Sequence, residues 1–187
     1  MKTTPFLEIG DGTLKTISKL YDRTEESLCE DVVKLREWMK AQPHLPEILD
    51  DGSIKNFLIL NKCSIEKTKQ GIDSYYTLRS AFPDIYQNIN PKLPNIVEIM
   101  EIVYWTPLPK PTQEMYRVWV YKVRNKDLVD IMEPHNILGF AINLQEVRLK
   151  EDVLYGDVFV FDMDGINLGY LAKLTPSFVA KCLAVYE

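Results

Sequence analysis

The chain has 187 residues, a formal charge of −5, 46% hydrophobic residues and 26% charged residues. That length holds one domain, or one domain with a small satellite, and the composition is that of an ordinary globular protein. No run of five basic residues occurs, which argues against broad nucleic-acid binding, and no apolar run approaches the ~20 residues that cross a bilayer.

Residues 1–23 show weak periodicity and a turn sequence, Gly10-Asp11-Gly12, and read as an N-terminal arm. Thr24 then opens a helix. Acidic Glu25, Glu26, Glu30 and Asp31 come early in it and basic Lys34, Arg36 and Lys40 come late, an order that complements the helix dipole. Leu28, Val32, Leu35 and Met39 recur at helical spacing and form one apolar stripe. Pro43 and Pro46 stop the helix. A second short helix follows Asp50-Asp51, with Ile54, Phe57 and Leu58 on one face. Ser64 suits the N-cap of a third, because its hydroxyl can accept from exposed first-turn amides. Ile65, Ile72 and Tyr75 or Tyr76 supply its buried side, and Pro83 ends it. Three short helices with short connections predict a small bundle over residues 24–91.

Residues 92–114 carry Pro94, Pro107, Pro109 and Pro111 and read as a linker with one helix, over residues 95–104. The pattern then changes. Residues 116–123, YRVWVYKV, are β-branched and aromatic and predict a strand. Residues 134–150 predict a helix, with Pro134 in its first turn and Ile137, Phe140 or Ala141, Leu144 and Val147 on one face. Gly156 separates it from a second strand over residues 157–163. Strand, helix, strand at this spacing predicts a βαβ crossover with parallel strands. Val158-Phe159-Val160-Phe161 is apolar on both alternate faces, which predicts cover on both sides. Thr175 and Pro176 then suit the N-cap and first position of a last helix. The expected fold is α/β: an N-terminal three-helix module followed by an incomplete parallel-sheet domain over residues 115–187.

Candidate catalytic and metal chemistry is sparse. Cys29, Cys63 and Cys182 form no CxxC pair, and His44 and His135 lack HExxH spacing, so neither a metal nor a cofactor is expected. The segment Phe161-Asp162-Met163-Asp164-Gly165 has two readings. An apolar strand ending in Asp-x-Asp-Gly resembles the first motif of haloacid-dehalogenase-type phosphatases, in which Asp162 would attack phosphorus and Asp164 would act as acid and base. That chemistry needs a later acidic pair for Mg²⁺. The residues after Gly165 include Lys173 and Lys181 but no such pair, and Ile166 stands where that family has Thr. In the structural reading Gly165 permits a turn, and the two aspartates cap amides or face solvent.

Two stretches resemble the CRAL-TRIO lipid-binding family, its tocopherol- and retinaldehyde-binding branch most closely. The first is residues 43–86, where His44-Leu45-Pro46, Asp50-Asp51, Phe57-Leu58 and Ser64-Ile65-Glu66-Lys67 follow the order of that family's N-terminal helical module. The family's usual Arg in the Phe-Leu helix is missing; Asn56 and Asn61 lie nearby. The second is residues 156–187, where the strand, the acidic turn, Gly169-Tyr170-Leu171 and Leu174-Thr175-Pro176-Ser177 match in order and spacing.

The resemblance implies a non-enzymatic, cytoplasmic protein that binds one tocopherol-, retinoid- or phospholipid-like molecule and carries it between membranes. It implies transient peripheral membrane contact, with phosphoinositides among the membrane partners. The implied pocket lining is Trp119 and Tyr121 from the first strand, and Phe140 and Asn143 from the crossover helix. Val158 and Val160, or Phe159 and Phe161, come from the second strand, and Phe178 and Cys182 from the last helix. The matched stretches correspond to the first half of such a domain, so impairment of transfer by truncation belongs to the expectation. The alternatives are a phosphatase acting through Asp162 and Asp164, and a degenerate module that binds a partner chain without lipid.

Overall fold

The computed structural model describes residues 13–86, 90–153 and 155–186. The Gly10-Asp11-Gly12 turn lies outside them. The first elements are α1 (Thr13–Leu20), α2 (Glu25–Lys40), α3 (Asp51–Leu60), α4 (Ile65–Ala81) and the single turn α5 (Pro83–Tyr86). There follow α6 (Pro94–Ile102), β1 (Val103–Pro107) and β2 (Tyr116–Val123). After a 3₁₀ turn, Lys126–Ile131, come α7 (Pro134–Glu151), β3 (Gly156–Asp162), α8 (Leu168–Ala172) and α9 (Pro176–Tyr186). The described residues divide into two compact units.

The first unit draws on residues up to 77 with 108–118 and 147–158. The segment read as an arm carries a helix, α1, and helices α2 and α3 start where the caps predict. The Thr24 side chain accepts from the Ser27 amide at 3.1 Å, and the Ser27 hydroxyl accepts from the Thr24 amide at 3.1 Å, a reciprocal cap. Asp50 accepts from the Ser53 amide at 3.0 Å and from its hydroxyl at 2.7 Å, which holds the Asp50 carboxyl below its ordinary range. Leu28, Val32, Leu35 and Met39 of α2 meet Ile54, Phe57 and Leu58 of α3 and Ile72 and Tyr76 of α4 in one buried cluster. The stripes read from the sequence therefore face one another. Leu149, near the end of α7, completes the cluster, and its carbonyl accepts from buried Asn56 at 2.7 Å.

Arg117 and Asp152 also lie in this unit, both without exposed side-chain surface. Arg117 Nη1 donates to the Leu108 and Pro109 carbonyls at 2.8 and 2.5 Å, which ties that proline-bearing segment to β2.

The second unit draws on residues 78–107, 119–146 and 159 onward. Its sheet has the order β1-β2-β3. β1 runs antiparallel to β2, with Val103 opposite Val123, Trp105 opposite Tyr121 and Pro107 opposite Trp119. The fold is α/β with a small open mixed sheet, and the all-parallel sheet expected from the sequence is corrected at β1. The expected helix over residues 95–104 ends at Ile102, and the next five residues are strand. No breaker separates Ile102 from Val103, so periodicity runs across the junction. Pairing with β2 satisfies the backbone of Val103–Pro107 instead, and the Arg124 amide closes the turn on the Ile102 carbonyl at 2.8 Å.

Two apolar clusters fill this unit. One joins Ile96, Ile99 and Ile102 of α6 to Val103, Tyr121, Val123, Val129, Met132, Ile137, Phe140 and Tyr170. The other joins Ile85, Leu138, Ile142 and Phe178. Helix α7 thus contributes two faces to two different clusters.

Candidate ligand-binding site

The candidate site is built on the sheet of the second unit. Along β2, Trp119, Tyr121 and Val123 are buried, Val120 is half-buried and Lys122 is exposed, so one face of the strand is covered. The β1–β2 register sets Trp105 beside Tyr121, with ring centroids 5.5 Å apart and edge to face. Phe161 reaches both rings, at 6.1 Å from Trp105 and 5.9 Å from Tyr121. Phe159 lies 6.3 Å from Phe161 and stacks on Trp119 at 6.3 Å. Five rings therefore run across three strands, each within reach of a favourable aromatic contact with at least one other.

The ring network leads from the interior to the surface. Trp119 is 1% exposed and Phe161 is 53% exposed. Tyr121 shares its core cluster with Phe140 of α7, and burial pushes its phenol up to about 12. Trp105 did not figure among the sequence candidates. Its segment follows a helical pattern and a proline-bearing linker, and only the pairing of β1 with β2 brings the ring to Tyr121.

The remaining candidates lie apart. Phe178 sits in the cluster of Ile85, Leu138 and Ile142, and Cys182 packs against it half-buried, its thiol pushed up by desolvation. Val158 and Val160 alternate with Phe159 along β3 and are 41% and 47% exposed. The cover predicted on both sides of this strand is therefore not found: Val158, Val160 and Phe161 all meet solvent. Asn143 is buried on α7. Its amide donates to the Gly139 carbonyl at 2.8 Å, and its Oδ1 has no hydrogen-bond partner among the described residues.

The acidic turn after β3 is neutralised by lysines. Lys122 Nζ donates to Asp162 at 2.8 Å, and Asp162 also accepts the Asp164 amide at 3.0 Å. The Lys122 hydrogen bond holds the Asp162 carboxyl below its ordinary range. Lys126 Nζ donates to both oxygens of Asp164 at 2.9 Å. Gly165 takes φ of +93°, a conformation that favours glycine. Among the described residues no group of three or more His, Cys, Asp or Glu side chains could hold a metal ion. The geometry gives both aspartates a structural use, Asp162 with Lys122 and the Asp164 amide and Asp164 with Lys126. Among the same residues no helix is long and apolar enough to cross a membrane.

The sequence family described as "Pinta-like, UBA domain" matches residues 24–96. The chain is also 21% identical over 179 residues to proteins named "Alpha-tocopherol transfer protein-like" from Pongo abelii, Homo sapiens and Mus musculus. Those alignments cover 95% of this chain and 52%, 52% and 51% of the relatives. The chain therefore spans about half the length of the curated relatives it matches. The likeness is weak in identity but runs through helices, sheet and acidic turn alike, and proteins named for tocopherol transfer are what this chain is similar to.

Proposed function

We propose that this protein binds a single hydrophobic small molecule through the aromatic face of its sheet and carries it between membranes. The observation that supports this most is the ring network from buried Trp119 to half-exposed Phe161, a route along which an apolar ligand exchanges water for aromatic and aliphatic contacts. Burial of each ligand CH₂ group would contribute about 0.8 kcal/mol. The name of the relatives supports a tocopherol-like ligand, and retinoids and phospholipids share the chemistry of a long apolar body with a small polar end. In this reading Phe140, Asn143, Val158, Val160, Phe178 and Cys182 line or border the ligand. Membrane contact is transient and peripheral, phosphoinositide headgroups are among the membrane partners, and the protein works in the cytoplasm without covalent chemistry.

Native mass spectrometry of the purified 187-residue chain tests the reading. A single co-purifying hydrophobic molecule is expected, and it should quench Trp105 and Trp119 fluorescence when added back. A chain that holds no lipid and whose tryptophans ignore tocopherol, retinol and phosphatidylinositol vesicles would overturn it. The exposure of Val160 and Phe161 favours a second reading, in which this strand docks a partner chain without lipid. A stable lipid-free complex would select it.

A further inference from the structure

Asn143 is 6% exposed and sits in the middle of α7, among Phe140, Ala141 and Ile142, all buried. A buried amide needs partners for both its ends, because leaving a polar atom unpaired in an apolar setting is costly. Here one end is fixed. The Gly139 carbonyl can only accept, so the group 2.8 Å from it must be the Asn143 NH₂. The other end is then Oδ1, an acceptor, and it is the atom without a hydrogen-bond partner among the described residues. The chemistry of the missing partner follows: it must donate.

We infer that Asn143 Oδ1 selects, among hydrophobic ligands, those carrying a hydrogen-bond donor such as an alcohol or phenol hydroxyl. Ligands whose polar end only accepts, such as ethers and esters, leave the atom unpaired. The inference rests on the proposed function, since it assigns a headgroup preference to the hydrophobic ligand proposed there. An amide on a packed helix is a stiffer selector than a loop group. Its orientation is held by its own helix four residues back, so it cannot rotate to offer its NH₂ to an accepting ligand without losing the Gly139 bond.

The test displaces a fluorescent apolar dye from the full chain with hexadecanol and with hexadecyl methyl ether, which differ in the hydroxyl proton. The parent should bind the alcohol about tenfold more tightly. In Asn143→Leu the two probes should bind within about twofold of each other, with no loss in the midpoint of thermal unfolding. Equal binding of the two probes by the parent, which needs no variant to fold, would mean that the acceptor is satisfied by water and would overturn the inference while leaving the proposed function standing. A preference that persists in Asn143→Leu would do the same. Failure of both probes to bind the parent would overturn both.

Discussion

Arg117 and Asp152 form a two-pronged ion pair, with Nε to Oδ2 at 3.0 Å and Nη2 to Oδ1 at 2.9 Å, and neither side chain has exposed surface. The strand residue and the residue just past α7 are 35 positions apart. Removing the carboxylate from a guanidinium so placed leaves a buried charge uncompensated. Asp152→Ala should therefore lower stability by about 3–5 kcal/mol in urea unfolding. Arg117→Met combined with Asp152→Leu should recover most of that loss, because well-packed apolar side chains often replace a buried pair without penalty. A loss under about 1 kcal/mol in the single variant would show that the pair carries little of this unit's stability.

Leu35 is fully buried where α2 meets α3 and α4. Leu35→Ala should cost about 2–5 kcal/mol, from lost transfer energy and the cavity left behind. Leu35→Asp should not fold at all, since it adds an unpaired buried charge. Circular dichroism melts check both, and an unchanged melt of the Asp variant would mean that the helices do not pack through this stripe.

Asp162 has a depressed carboxyl through the Lys122 hydrogen bond. A depressed group contributes stability that is present above its unfolded value, near 3.8, and is lost as pH falls through the lower folded value. The difference in melting temperature between the parent and Asp162→Asn should accordingly be present near neutral pH and shrink below pH 3.8. Neither protein should hydrolyse phosphate esters with Mg²⁺. Phosphatase activity that Asp162→Asn abolishes would restore the catalytic reading of the turn.

Val160 and Phe161 are 47% and 53% exposed on adjacent positions of an end strand. Exposed apolar strand surface attracts other apolar surface. The chain should bind anilinonaphthalene sulfonate or self-associate in sedimentation experiments, and Val160→Thr with Phe161→Ser should reduce both. A dye-silent monomer would contradict this use of the strand.

The local elements were legible because their signals are local. Thr24 and Asp50 hold the first-turn amides of α2 and α3, as residues of their type do at helix starts. Leu28, Leu35 and Met39 keep helical spacing, and the alternation around Trp119 and Tyr121 is a strand's. The types of the candidate site residues were legible too, since an apolar lining and a core draw on the same side chains.

Partnership was not. Val103–Pro107 became a strand because β2 was there to pair with it, and nothing within five residues specifies a partner 12 to 20 positions away. Phe140 and Ile142 are two residues apart yet belong to different clusters, because the helical turn sends them to different sides; this is what separates Phe178 and Cys182 from the sheet rings. Apolar composition on both faces of β3 says that the strand can be covered, not that it is. Sequence alone determined the caps, the periodicities and the acidic turn, which depend on neighbours within about one helical turn. Only tertiary structure decided the mixed sheet, the buried Arg117–Asp152 pair and the exposure of Phe161, because each depends on which distant surface packs against which.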